Sequence, residues 1–483
     1  MKCIKGADFM NNFEFSACTS ILVGKNATTD GSTLIGRNED CKAAWPKRFI
    51  VNEHQVLDKP QKFVSKDNGF TLELPKERGK YTSTPEWTDK YGVFEEDGIN
   101  EYGVAISATE STYANNKVLG FDPLVSNGIG EEAIVTVVLP YVKSAIEGVN
   151  RLGEIINKYG ASETNGILIS DSENVWYFEI GSGHQWVAQR IPDDSYAVVA
   201  NQMAIQDVDF DDSDNFKWST DIQKFVADNS LNSNRHGFNF REIFGTQNQS
   251  DAYYSTPRVW YGQKMFNPEI EQDPESQNLP FIRKSKQLIS VFDAQDFLSS
   301  HFQETVYDPI GNGTEAQKHM FRPISLAKTQ ESHVLQLSAK YPKEIGDIHW
   351  LLMGVGSQST FVPFFAGITD TPKEYKYKVG HDYDHESAYW IFKLVGILID
   401  PHYLQFNEQL KDVQNQLIQQ YIANVNEAQI ASLNEKQNLT ELANHYSFKS
   451  ANLALTAYRN LAAKFITAST DFSPLNYQQD LNL

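Results

Sequence analysis

A thiol, a guanidinium and a carboxylate stand within reach of one another near the start of the chain. The run CTSILVG (18–24), the polar stretch KNATTDG and the run STLIGRN (32–38) read as two β-strands joined through an Asp-Gly turn. If residue 24 pairs with 32, Cys18 lies opposite Asn38, give or take one residue of register, and the second strand returns Arg37, Asn38 and Asp40 to the side of Cys18. A cation beside a cysteine favours the nucleophilic thiolate. Composition by itself reads Cys18 as a small core hydrophobe, and Arg37 with Asp40 equally as a buried pair that closes a strand end. Both readings stay open on spacing alone.

Two other clusters look metal-like and are read otherwise. Asp207, Asp209, Asp211, Asp212 and Asp214 imitate a calcium loop, but its sixth position is Asp212 instead of Gly and its twelfth is Trp218 instead of Glu, so a solvated acidic turn is expected. His381, Asp382, Asp384, His385 and Glu386 precede the apolar run AYWIFKLVGILI and read as the acidic N-terminus of a helix capped by Asp384. GxSxG, Walker, HExxH and GxGxxG patterns are absent from the sequence.

The elements that must position these groups follow from periodicity. GINEYGVAISAT (98–109) reads as a turn and a strand, and Ser144 to Tyr159 as a helix that stops before Gly160. NGILIS, NVWYFEI, HQWVAQR and YAVVAN, between 165 and 201, read as a four-strand antiparallel meander with Asn201 at its end. Residues 205–330 are polar and aromatic and predict helices among long loops, while WLLMGVG and STFVPFF predict a buried strand pair. Leu410, Val413, Leu417, Tyr421 and Val425 recur at helical spacing, as does a stripe over 447–468. No internal repeat or Gly/Ser linker divides the chain, which points to one large α+β domain with a helical appendage.

Composition excludes several functions. The 483 residues carry 42 basic and 62 acidic side chains, a net charge of −20, which makes nucleic acid and anionic membrane poor partners. Cys3, Cys18 and Cys41 form no CxxC spacing, which argues against a disulfide framework or a zinc site and fits a reducing compartment. The first seventeen residues have no apolar core of the secretory kind, so a cytoplasmic location is expected.

ACTSILVG, a short loop and DGSTLIGRNED, followed in order by GINEYGVAISATES, VVANQM, YSTPRVW, TQESHVLQL, GSQSTFVPFF and YDHESAYWIFKL, resemble the dipeptidase A family of cysteine N-terminal nucleophile hydrolases, of the lactic acid bacteria type. The resemblance covers most of 18–400. It implies a four-layer αββα sandwich with a helical C-terminal extension, divided into a leader over 1–17 removed on maturation, a catalytic domain over 18–400 and a helical layer over 401–483. It makes Cys18 the nucleophile, Arg37 and Asp40 its supports in an RNxD motif, Asn201 an oxyanion donor and Arg258 a further site residue. The freed α-amine of Cys18, with a reference pKa of about 7.7–8.0, would be the base for its own thiol. Neither cofactor nor metal is implied. Where related acylases carry an oxyanion Asn this chain has Glu110, expected instead to pair with the free α-amine of a dipeptide. The implied activity is a dipeptidase of broad specificity acting on small peptides, and a homo-oligomer is expected. The alternatives are an N-acyl amide hydrolase of the penicillin V acylase or bile salt hydrolase type, and a non-enzymatic interaction protein on the same fold.

Overall fold

The structure, a computed structural model, describes residues 17–475; the leader expected over 1–17 lies outside them except for the backbone of Ala17. Strands β1 (Ala17–Val23) and β2 (Thr33–Asp40) form the expected hairpin. Its register is one residue away from the nominal pairing, with Cys18 opposite Glu39 and Ser20 opposite Arg37. Pairing across the hairpin begins at Val23 and Leu34. The shift decides the chemistry, because side chains alternate faces along a strand. Cys18, Ser20, Arg37 and Glu39 share one face. Asn38 is turned to the other, where its amide donates to the carbonyls of Leu298 and Ile324 and its oxygen accepts from Ser332.

The remaining strands are β3 (Asp97–Ile99), β4 (Val104–Ser111), β5 (Asn165–Asp171), β6 (Val175–Ile180), β7 (Trp186–Ile191), β8 (Tyr196–Val199), β9 (Phe216–Trp218), β10 (Ile282–Arg283), β11 (Thr329–Leu337), β12 (Ile348–Met353) and β13 (Val362–Phe365), besides short strand pairs between 50 and 83. One sheet runs β10-β8-β1-β2-β11-β12-β13 and the other β9-β7-β6-β5-β4-β3. The expected four-strand meander is corrected here. β5, β6 and β7 pair in series, but β8 crosses to the first sheet and pairs with β1, and β9 takes its place beside β7. The Pro192-Asp193-Asp194 turn carries that crossing, and it delivers Asn201 to the strand bearing Cys18.

Alternation along each strand builds the layers. Leu22, Ile35, Ala105, Leu168 and Leu335 pack between the two sheets. Ile21, Val23, Leu34 and Val334 face outward from the first sheet, beneath helices that include α4 (Val291–Leu298) and α5 (Ala388–Ile399). Ile106, Ile167, Ile169 and Phe178 face outward from the second sheet, under α1 (Glu131–Val138) and α2 (Ala145–Tyr159). This is an αββα sandwich. Helix α2 starts where Ser144 accepts the Glu147 N–H and stops at Gly160, whose φ of +73° suits glycine.

The two C-terminal helices, α6 (Tyr403–Ser432) and α7 (Leu439–Ser469), bury Leu410, Leu417, Tyr421 and Val425 in the outer layer of the first sheet, and the Phe365 N–H donates to Ser447 Oγ. Helix α5 begins at Ala388 with Ser387 at its cap position; Asp384 accepts the Glu386 N–H in the turn before it, a correction to the expected cap. His381 and His385 are exposed beside that turn, and the acidic residues at 207, 209, 211 and 214 are exposed as well. Cys18 is a buried thiol.

Edge strand β3 sits tightly against the short strand Tyr81–Ser83: a Cβ at Gly98 would lie 1.9 Å from the Thr82 carbonyl oxygen. Gly98→Ala must therefore push β3 away, and a loss of about 1–3 kcal/mol in urea unfolding is expected, as for other overpacking changes.

Candidate active site

Toward the β1 N-terminus the apolar layer between the sheets gives way to charge. Cys18, Arg37, Glu39, Glu96, Asp97, Ser107, Glu131, Glu331 and His333 are all buried there. Arg37 organises them. Its Nη1 donates to Cys18 Sγ at 3.2 Å, its Nε to Ser107 Oγ at 3.1 Å, and its Nη2 pairs with Glu96 Oε2 at 2.7 Å. Glu131 Oε1 lies 3.8 Å from Nη1. Burial opposes the guanidinium's charge, but Cys18, Glu96, Glu39 and Glu131 more than offset it and hold Arg37 firmly protonated. Lys47 Nζ adds a second buried cation, 3.0 Å from Glu39 Oε2 and 3.5 Å from Glu96 Oε1.

The carboxylates divide the charge unequally. Burial pushes Glu39 well up, helped by repulsion from Glu96, whereas at Glu96 burial is outweighed by Lys47 and Arg37 and the group stays ionised. Burial raises Glu131 to about 6.

On the other side of Cys18, Arg258 of α3 (Thr256–Phe266) donates through Nη1 to the Cys18 carbonyl and, at 2.9 Å, to Thr19 Oγ1. Its Nη2 donates to Asn201 Oδ1 at 2.8 Å. Spending the amide oxygen on Arg258 makes the nitrogen the donor end of Asn201. Glu179 fixes the loop beyond Asn201 by accepting the N–H groups of Ala204 and Ile205 at 2.6 and 3.0 Å, and burial raises it to about 7. Asp40 stands opposite Ala17 and accepts from Arg322 Nη2 at 2.5 Å and from the Thr329 hydroxyl. Arg322 also reaches Thr19 Oγ1 at 3.3 Å, and the Tyr254 ring lies 5.1 Å from the Arg258 guanidinium and 5.5 Å from that of Arg322.

The structure thus brings Cys18, Arg37, Asn201 and Arg258 into one connected group, with Asp40 joined to it through Arg322 and Thr19. Glu110 stands on β4 opposite Gly166, just past a break in strand register, and its side chain lies outside the described residues. Sequence reasoning passed over Glu96, Ser107, Glu131, Arg322 and His333. The available signal was charge inside buried strands, as in TQESHVLQL.

Among the described residues, Asp97, Glu331 and His333 bring ligand-type atoms within 4.8 Å of one another, close enough to share a metal ion. The imidazole takes that central place itself, with Nδ1 3.1 Å from both Asp97 Oδ2 and Glu331 Oε1. Burial disfavours its charge, yet Asp97 and Glu331 raise it to about 9. A raised value means stabilisation that is complete below the unfolded pKa near 6.5 and is lost as pH climbs through about 9. Unfolding free energy should therefore fall over that window by on the order of 3 kcal/mol, and His333→Gln should flatten the fall in urea titrations between pH 6.5 and 10.

Cys18 thus stands on the first strand of the sandwich, held by an arginine from its hairpin partner. Residues 17–416 match Peptidase family C69, and the chain belongs to that family. It is 46% identical to a probable dipeptidase of Latilactobacillus sakei over 98% of this chain and 100% of that protein. It is 42% identical to a probable dipeptidase A of Streptococcus pyogenes serotype M3 (83% and 86%) and 37% identical to dipeptidase A of Lactobacillus helveticus (92% and 94%). The solved structure of penicillin V acylase from Agrobacterium tumefaciens aligns with 72% of this chain and 86% of its own at 15% identity and a TM-score of 0.33.

Proposed function

We propose that the protein is a cysteine dipeptidase of broad specificity whose nucleophile, Cys18, becomes N-terminal when residues 1–17 are removed. The observation that carries the reading is the 3.2 Å contact between Arg37 Nη1 and the buried Cys18 thiol. A fixed cation at that distance stabilises the thiolate, the species able to attack a peptide carbonyl.

The freed α-amine takes the thiol proton and later gives it to the leaving amine, and the amine then activates the water that clears the acyl-enzyme. Asn201, whose amide oxygen is taken by Arg258, donates through its nitrogen to the tetrahedral oxyanion, a contribution of about 3–4 kcal/mol in comparable sites. Asp40, opposite Ala17, stands on the side of Cys18 where the bond to the leader is cut and the amine appears. Glu110 is assigned the α-ammonium of the substrate. The catalytic domain is 18–400, with 401–483 as a helical layer on it, and a homo-oligomer located in the cytoplasm completes the proposal. No helix of the described residues is long and apolar enough to cross a membrane.

Dipeptides and penicillin V assayed side by side separate peptidase from acylase activity: turnover of the dipeptides is expected, and exclusive cleavage of penicillin V would overturn the assignment. Asn201→Ala should lower kcat by about 10²–10³ while leaving the fold intact by circular dichroism. Glu110→Gln should raise KM for dipeptides; unchanged turnover would remove Glu110 from the site. Light scattering measures the oligomeric state, and a monomer would correct that part.

A further inference from the structure

His333 is the cross-strand neighbour of Arg37 in the first sheet, and Ser107 that of Asp97 in the second. The two pairs face each other across the layer between the sheets. Arg37 Nε donates to Ser107 Oγ at 3.1 Å, His333 Nε2 stands 2.9 Å from the same oxygen, and His333 Nδ1 stands 3.1 Å from Asp97 Oδ2. All four residues are fully buried. We propose that Ser107 and His333 are positioning residues for the reaction at Cys18, fixing the rotation of the Arg37 guanidinium so that Nη1 is the edge that meets Sγ. The inference rests on Cys18 being the nucleophile.

A guanidinium held by one carboxylate can still turn about that contact, so a single anchor at Glu96 leaves the edge facing Cys18 undefined. Ser107 supplies the second anchor, at Nε, apart from the Nη2 contact with Glu96. His333 defines what Ser107 does. Nδ1 lies between the carboxylates of Asp97 and Glu331 and carries a proton, and with a value near 9 the ring holds a second proton at neutral pH. Nε2–H then donates to Ser107 Oγ, which accepts from two cations at once and must turn its own hydrogen away from both. The support continues outward. His349 Nε2 is 3.0 Å from Asp97 Oδ1, and the Thr84 hydroxyl donates to Asp97 Oδ2.

The test is the rate of Cys18 alkylation by iodoacetamide as a function of pH, measured together with kcat and KM for a dipeptide. Ser107→Ala should raise the alkylation midpoint by about one pH unit and lower kcat about tenfold, because the thiolate loses a correctly aimed cation, while KM moves less than about threefold. Ser107→Thr, which restores the hydroxyl, should return both toward wild type. His333→Gln keeps an N–H donor without the charge and should fall between the two. A Ser107→Ala protein with native near-ultraviolet circular dichroism and a wild-type midpoint and kcat would overturn the proposal, and His333→Gln is judged in the same way should Ser107→Ala fail to fold. Dipeptidase activity surviving in Cys18→Ala would instead overturn the nucleophile assignment, and this inference with it.

Discussion

A charged guanidinium enclosed between two β-sheets is the constraint on which the rest of the site depends. Placing Arg37 where side chains are fully buried costs several kcal/mol unless every N–H edge finds a partner and an anion lies close. Glu96, Ser107 and Cys18 meet those demands from three different strands or loops. Their own requirements then spread: Glu96 and Glu39 call for Lys47, Ser107 brings His333 against it, and His333 calls for Asp97 and Glu331. The polar end of the inter-sheet layer is one network because a single buried cation started it. Arg-to-Lys exchange would not reproduce it, since an ammonium lacks the planar fork that serves three directions.

The same constraint explains the division of the layer. Leu22, Ile35, Leu168 and Leu335 supply dry packing at one end, so the strand pair β1–β2 is anchored by burial before its other end has to tolerate charge. Arg258 holds the Cys18 carbonyl and, together with Arg322, the Thr19 hydroxyl, with the Tyr254 ring against both guanidiniums. Cys18 thus has a hydrogen-bonded carbonyl on one side and a paired cation on the other, an arrangement that suits the nucleophile proposed for it.

Local pattern carried much of this into the sequence. The hairpin, the helix over 145–159, the strand pair near 350–365 and the C-terminal helices follow from alternation, caps and helical spacing, which act over a few residues. Cys18 and Arg37 were legible because a short loop makes them neighbours. What was not legible depends on partners far apart in the chain. A turn after β7 sends β8 to the other sheet without any change in its own composition. Ser107 and His333 meet only because two separate strand pairs stack face to face. Even the hairpin register lies one residue off the nominal pairing, and that residue decides which face Arg37 occupies.

The intact mass of the purified protein tests the central claim most directly, because a cysteine that serves as its own base must be N-terminal. A mature chain beginning at Cys18, with the full-length mass restored and activity abolished in Cys18→Ala, is the expected result. A fully active enzyme that still begins at Met1 would contradict it.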